Sequence, residues 1–196
     1  MVRRAVISIA PTGLHALFKR LWVDAGSDPE KLADLLQTKA SVDSPANSRI
    51  RSELIEQEKS FYRTKVNRFV LYEWELFQTR LRHGSLELLE DGQIDHVMPQ
   101  NPEKGSTWWD LGTKSEIEDL VQVIGNLVLI EGSENASKGA EEWPQIRKRF
   151  RNESHSKAAQ QLAKLPKWDL QSIRDRSVEM VDWICDERWP DLDTFK

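Results

Sequence analysis

The chain has 196 residues, with 28 Lys and Arg against 32 Asp and Glu, and a single cysteine. This length is enough to bury a hydrophobic core, and one cysteine excludes an internal disulfide or a zinc site made of several cysteines. The opening MVRRAVISIAP is basic and then apolar, but its apolar run is too short for a signal peptide, and no stretch is long enough to span a membrane. We therefore expect a cytoplasmic protein without a membrane partner.

The net charge of -4 conceals a segregation of charge along the chain. Residues 75–134 contain four Lys or Arg and twelve Asp or Glu, whereas residues 138–176 contain ten and five, so the two segments carry -8 and +5. A metal site beside a phosphate-binding surface requires an acidic segment next to a basic one. Solvated helix faces with uneven charge give the same count, so both interpretations stay open at this point.

The N-terminal part of the chain carries two short helical patterns. Asp28 and Pro29 have the residue types of an N-cap and a first helical position, and they open the second pattern. Gly26 ends the first. The apolar residues of the first pattern recur at helical spacing and predict an amphipathic helix: Leu14, Leu17, Phe18 and Leu21.

A loop and a long helical pattern follow. Residues 41–48, SVDSPANS, have the composition of a loop. From residue 49 to residue 81 the periodicity predicts one continuous helix that packs its apolar stripe in the core. The stripe consists of Val66, Phe69, Val70, Phe77 and Leu81.

After residue 84 the helical period disappears. In LELLEDGQIDHVMP, two apolar runs lie on either side of Asp91 and Gly92, which favours strands or a hairpin that ends near His96. Pro99 cannot continue a central strand, so we expect the chain to turn away just after the histidine.

A short helix, a second strand and further helices complete the chain. Ser115 and Glu118 form a capping-box pattern for a helix over 116–123, and GNLVLI at 125–130 has strand character. The pattern is helical again from Ala136, with breaks near Pro144 and at Pro166, and Asp169 caps the last predicted helix.

Four polar residues fall where the two predicted strands and the following helix meet. Asp95 and His96 lie on the first strand, Asn126 on the second, and Asn135 at the start of the helix. Neighbouring strand residues point to opposite faces, so the carboxylate and the imidazole would serve separate functions, one at a metal and one toward a water. Each residue also has an ordinary explanation, as a structural histidine, a turn residue or a helix cap.

The segments IDHVMPQ and IGNLVLIEGSENASKG follow each other along the chain in this order. Together they resemble the HNH nucleases, also called His-Me finger or ββα-metal nucleases. They are similar to the HNH domain at the C-terminus of GmrS/GmrD-type modification-dependent restriction endonucleases, a group that includes phosphorothioate-sensing defence nucleases. That group carries a D/E-H-I-x-P-Q strand, a G-N-L-x-L strand, an Asn-x-x-x-Lys helix start and a trailing helix, which here contains Trp168, Ile173 and Arg176. The resemblance covers residues 86–189.

The resemblance implies a divalent-metal-dependent DNA endonuclease that nicks or restricts foreign or modified DNA. His96 would be the general base that activates water on the scissile phosphate, since an imidazole with a reference pKa of about 6.5 accepts a proton near neutral pH. Asp95 and Asn135 would bind Mg²⁺ through oxygen, and Mn²⁺ would substitute. Asn126 would hold the loop between the strands, and Lys138 would contact a phosphate. Asn135 replaces the last histidine of the family motif, which disfavours zinc.

A cluster of cations follows the proposed metal ligands. We expect it to contact DNA phosphates, although an ordinary exposed helix face has the same composition. The cluster consists of Arg147, Lys148, Arg149 and Arg151.

The sequence predicts an α+β protein, predominantly helical, with a small ββα-metal unit embedded between N-terminal and C-terminal helices. We predict an N-terminal helical region over 1–84, a nuclease core over 85–150, and C-terminal helices over 151–196 that pack on the core. The alternative function is a non-cleaving DNA-binding or interaction module, the C-terminal part of a larger NTPase–nuclease restriction protein. An NTPase domain or subunit would then lie outside this chain, because the chain contains no G-x-x-x-x-G-K-[ST] phosphate loop.

Overall fold

The computed structural model describes residues 1–12, 14–38, 42–80, 92–132 and 141–191. Helices dominate these residues, and single turns of 3-10 or π type join several of them. The α-helices are α1 (Val2–Val6), α2 (Leu14–Asp24), α3 (Pro29–Thr38), α4 (Asn47–Arg51), α5 (Asn67–Thr79), α6 (Lys114–Val121), α7 (Trp143–Asn152), α8 (Lys157–Leu162) and α9 (Leu170–Asp182). The 3-10 turns are Thr107–Asp110 and Ile124–Asn126, and the π-type turns are Ser52–Glu56 and Trp183–Arg188.

Two short strands, β1 (Gln93–His96) and β2 (Leu127–Ile130), pair antiparallel. All four residues of β2 are apolar and buried, because α5 and α8 pack against this strand. The small sheet inside a helical shell confirms the predicted fold class, a predominantly helical α+β protein.

Helices α2 and α3 form a small apolar cluster separate from the main core. Leu14, Leu17 and Leu21 are buried in it, which confirms the first predicted helix, but Phe18 is 49% exposed. At the start of α3, a carboxylate oxygen of Asp28 accepts a hydrogen bond from the backbone N–H of Glu30, as expected for an N-cap.

The prediction of one continuous helix over 49–81 is wrong. The chain leaves the helical conformation after the π-type turn that extends α4, and it becomes helical again only at α5. Glu58 adopts a left-handed backbone conformation (φ 46°), which ends the first helical piece. Phe61 is fully buried, and its backbone N–H donates to the carbonyl of Gln122. Tertiary packing of this loop, residues 57–66, therefore overrides a helical sequence pattern.

The predicted capping box at Ser115 and Glu118 is also wrong. Thr113 and Glu116 form the box instead, with Thr113 Oγ1 accepting from the Glu116 N–H and the Glu116 carboxylate accepting from the Thr113 N–H. Helix α6 therefore starts at Lys114, two residues earlier than predicted, and its buried residues are Ile117, Leu120 and Val121. Both residue pairs fit the capping-box sequence pattern, and the structure shows which one forms the box.

Both predicted breaks in the C-terminal helices coincide with helix ends. Residues 141 and 142 are not helical, and Pro144 lies in the first turn of α7, where a residue without a backbone N–H leaves no hydrogen bond unmade. The break at Pro166, between α8 and α9, is confirmed. Asp169 caps α9 as predicted, because its carboxylate accepts from the N–H of Ser172 at 2.8 Å.

Two sequence predictions fall outside the described residues: the apolar run up to Asp91 and the helix start at Ala136. The domain boundaries proposed at 84/85 and 150/151 stay a prediction. One continuous cluster of buried side chains contains residues from all three proposed segments, and α7 crosses the second boundary. Within the five described ranges, every helix is too short or too polar to cross a bilayer.

Candidate active site around His96

The candidate site lies at the end of β1. Asp95 pairs with Val128 and His96 with Leu127 in the antiparallel ladder. Both side chains are largely buried, with 4% and 8% exposure. Because successive side chains of a strand alternate between the two faces, the carboxylate and the imidazole lie on opposite sides of the sheet.

The imidazole of His96 has two well-defined neighbours. The side-chain amide nitrogen of Gln100 lies 2.9 Å from His96 Nε2. An amide nitrogen donates, so this contact corresponds to the tautomer of His96 in which Nε2 accepts and Nδ1 carries the proton. The ring of Tyr62 makes an edge-on contact, with centroids 4.6 Å apart and an interplanar angle of 62°.

Asn126 fixes the chain segment that follows His96. Its Oδ1 accepts from the N–H of Met98 at 2.8 Å and from Nε1 of Trp168 at 3.3 Å. Its Nδ2 donates to the carbonyls of Met98 (2.9 Å) and Val121 (3.0 Å). These four bonds, hereafter the Asn126 network, use the full hydrogen-bonding capacity of a side chain that is 0% exposed.

Gly125 and Arg176 attach the start of β2 to α9. The backbone N–H of Gly125 donates to Ser177 Oγ at 3.1 Å, and a Cβ at Gly125 would lie only 2.1 Å from the carbonyl oxygen of Ile173. Nη1 of Arg176 donates to the carbonyls of Gly125 (2.6 Å) and Leu127 (2.7 Å). Burial lowers the pKa of Arg176 to about 10, so its guanidinium stays charged at neutral pH. The glycine therefore permits close packing, and the arginine bonds the two carbonyls that flank Asn126.

The second predicted metal ligand and the nearest predicted phosphate contact lie outside the described residues. Asn135 and Lys138 fall within 133–140, so their positions relative to Asp95 are not described. In the part of the chain that is described, no three His, Cys, Asp or Glu side chains are grouped closely enough to hold a metal. The predicted donor set of one carboxylate and one amide oxygen suits a hard divalent cation.

The predicted phosphate-contact cluster is only partly exposed. Lys148 and Arg151 are exposed, but Arg149 is buried, and its Nε donates to the carboxylate of Glu141 at 3.1 Å. We therefore correct Arg149 from a surface cation to a buried, ion-paired residue. Arg147 and Arg151 each donate one hydrogen bond to the backbone carbonyl of Ala163.

Two neighbours of the imidazole were not among the predicted site residues. Gln100 lies four residues after His96, beyond the Pro99 turn, so its place in IDHVMPQ was an available signal. Tyr62 belongs to a stretch with a helical pattern, and no local signal indicates a contact with a strand so distant in sequence.

Comparison with known proteins identifies the family. The model for the family described as GmrSD restriction endonucleases, C-terminal domain, matches residues 44–183, a segment that contains β1, the Asn126 network and all of α9. Neither the curated proteins nor the solved structures gave a match. Because the family model matches well over half of the chain, this protein belongs to the C-terminal domain family of the GmrSD restriction endonucleases, with a restriction-related role as a nuclease that acts on DNA.

Proposed function

We propose that this protein is a divalent-metal-dependent DNA endonuclease of the HNH type that nicks or restricts foreign or modified DNA, with His96 as its general base. The observation that supports this function most directly is the setting of the His96 ring. Its Nε2 lies 2.9 Å from the amide nitrogen of Gln100, and the chain that follows it is fixed by the Asn126 network.

A general base needs a lone pair within hydrogen-bond reach of the proton that it removes. Nε2 of His96 already accepts a proton donor, the amide of Gln100, at 2.9 Å. A water that replaces this amide would donate to the same lone pair, and its oxygen would then attack phosphorus as the proton moves to Nε2. Positioning of this kind contributes about 10²- to 10⁴-fold to the rate.

Asp95 would act on the other face of the strand. Its carboxylate and the amide oxygen of Asn135 would hold Mg²⁺, and Mn²⁺ would substitute. When bound, the ion would neutralise charge on the phosphate and on the leaving oxygen. The candidate ligands are oxygens, and the single thiol, Cys185, is buried with its pKa raised to about 11, so thiolate-binding metals are disfavoured.

Cations that follow the site in sequence would hold the DNA backbone. Lys138, Lys148, Arg151 and Arg147 are the proposed phosphate contacts; of the described ones, Lys148 and Arg151 are exposed and Arg147 is half-buried. Arg149 is excluded from this set because it is buried against Glu141.

One observation favours a second candidate, a DNA-binding module that does not cut and that forms part of a larger NTPase–nuclease protein. Asp95 and His96 expose only 4% and 8% of their surface, so a phosphate reaches them only if neighbouring groups move. A module that holds DNA without cleaving it requires no such movement.

A plasmid-relaxation assay separates the two candidates. The wild-type protein would be incubated with modified and unmodified plasmid in Mg²⁺, Mn²⁺ or EDTA. We expect metal-dependent nicking that falls by at least about 10²-fold in His96→Ala and His96→Gln, while DNA binding is retained. His155→Ala is the matched control, because the His155 side chain is 76% exposed and forms a surface ion pair with Glu131.

Undiminished cutting by both His96 variants would overturn the base assignment. Binding by the wild type without any conversion of the plasmid would select the non-cleaving module. Asp95→Ala and Asn135→Ala should raise the metal concentration needed for half-maximal cleavage, and an unchanged metal titration would refute their assignment as ligands.

A further inference from the structure

The 57–66 loop is fixed next to His96. The backbone N–H groups of Phe61 and Tyr62 both donate to the carbonyl of Gln122, at 2.9 and 3.1 Å. Gln122 directly follows α6, close in sequence to Asn126. Phe61 is fully buried, so the loop is held by packing as well as by hydrogen bonds. The loop and the strand that carries His96 are therefore parts of one packed framework.

Tyr62 has one side against the imidazole and another in solvent. Its ring contacts His96 edge-on at 4.6 Å, and the residue is 38% exposed. A molecule that approaches the imidazole therefore also approaches Tyr62. An aromatic ring in this position restricts the orientations that the histidine ring can adopt.

The same loop carries unneutralised positive charge. Residues 57–66 contain three Lys or Arg and one acid, Glu58, which is ion-paired. Lys59 pairs with Glu53 at 2.9 Å, but Arg63 and Lys65 are exposed and form no ion pair with any described residue. Both also lie at the edge of a cavity of about 500 Å³ whose lining is mostly apolar. The two exposed cations are complementary to a polyanion.

We propose that the 57–66 loop is a DNA-contact surface, in which Arg63 and Lys65 bind backbone phosphates of the DNA whose scissile phosphate lies at His96, and Tyr62 positions the imidazole. This inference rests on the proposed function, because it uses the phosphate at His96 as its reference point. The loop precedes β1 in the sequence, whereas the cations of α7 follow it, so the inference adds a second group of DNA contacts.

The binding test measures the salt dependence of affinity for a short DNA duplex. Each phosphate contact contributes about 0.9 to the slope of log affinity against log salt, so Arg63→Ala/Lys65→Ala should lower the slope by nearly 2. Lys19→Ala/Lys31→Ala removes the same charge from exposed positions on α2 and α3 and should leave the slope unchanged. Equal slopes in the two double variants would refute the proposed DNA-contact surface.

The positioning test compares Tyr62→Ala with Tyr62→Phe in single-turnover cleavage across a range of pH. Loss of the ring should lower the cleavage rate at least about tenfold and shift the pH profile, with little change in DNA affinity, because a misplaced base slows chemistry rather than binding. The phenylalanine variant should restore both the rate and the profile. A Tyr62→Ala profile that overlays the wild-type profile would overturn the positioning role.

Failure of this inference is distinguishable from failure of the proposed function. If His96 variants lose cleavage while the loop variants behave like their controls, only the DNA-contact surface is refuted. If the wild type does not bind duplex DNA, the proposed function is refuted and the inference with it. If His96 variants cut normally, the base assignment and the positioning role of Tyr62 are refuted, and the salt dependence still tests Arg63 and Lys65.

Discussion

Replacement of Asn126 tests whether the segment after His96 depends on one buried amide. Asn126→Ala removes the four hydrogen bonds of the Asn126 network and leaves groups on Met98, Val121 and Trp168 without their partner. A buried polar group that loses its partner costs about 1 to 3 kcal/mol. At the lower limit for each of the four bonds, the free energy of unfolding falls by about 4 kcal/mol, which is large for a single substitution.

Asn126→Asp separates hydrogen bonding from side-chain shape. One carboxylate oxygen keeps the acceptor role of Oδ1, but the other replaces an N–H donor and faces the carbonyls of Met98 and Val121. Repulsion between these oxygens raises the pKa of the introduced carboxyl above its unfolded value of about 3.9. The protonated form is tolerated because it can donate to one carbonyl. The destabilisation is therefore small below about pH 4 and grows as the pH rises through the raised folded pKa.

Urea denaturation at pH 4 and pH 7 measures both effects, with plasmid nicking followed in parallel. We expect Asn126→Ala to be destabilised at both pH values, and Asn126→Asp mainly at pH 7. Nicking should fall in both variants, because the backbone after His96 loses its fixed position. A urea unfolding transition of Asn126→Ala that matches that of the wild type would refute the view that this amide holds the segment in place.

Two further predictions concern α9. Gly125→Ala should lower the free energy of unfolding by more than about 3 kcal/mol, because the new methyl group meets the backbone carbonyl of Ile173; Gly112→Ala, whose methyl group meets movable side-chain atoms, should cost less in the same denaturation assay. Asp169→Ala should cost about 1 to 2 kcal/mol at pH 7 through loss of the cap. Lys167 is the main cause that lowers the pKa of Asp169 to about 2, so this stability is complete above about pH 4 and is lost as the pH falls toward 2; a difference that persists at pH 2 would contradict the assignment.

The parts of the fold that sequence analysis predicted correctly depend on local signals. The run LVLI is short, apolar and bounded by a turn, so it was predictable as a buried strand. Asp169 precedes an apolar helical pattern, and its cap needs only the N–H of Ser172. The break at Pro166 follows from the missing backbone N–H of proline.

The errors come from contacts between distant residues. Nothing local in the stretch from 49 to 81 shows that Phe61 is buried and bonded to Gln122, yet this contact interrupts the predicted helix. Arg149 lies in a run of cations. Ile146, Arg149 and Phe150 are nevertheless spaced i, i+3 and i+4, which puts them on one face of α7, and Ile146 and Phe150 are 0% exposed. The burial of Arg149 was therefore predictable only once the face of α7 that packs on the core was known.

The candidate site shows the same division. Asp95 and His96 were recognisable because they are adjacent, and opposite strand faces follow from their spacing. The contacts of the imidazole with Tyr62 and Gln100 depend on how a loop and a turn pack against β1. Sequence therefore indicated which groups are candidates for the chemistry, and the structure was needed to see what surrounds them.

The backbone around His96 and the side chains around its ring are held by different contacts. Asn126, Gly125 and Arg176 are buried and fix backbone positions, so their substitution lowers stability and activity together. Tyr62 and Arg63 are exposed, and Tyr62 contacts the imidazole. Their substitution should therefore lower activity with little loss of stability. If a nuclease acts at His96, the two classes of variant separate on a plot of cleavage rate against free energy of unfolding. If the histidine is purely structural, cleavage does not respond to the exposed class at all.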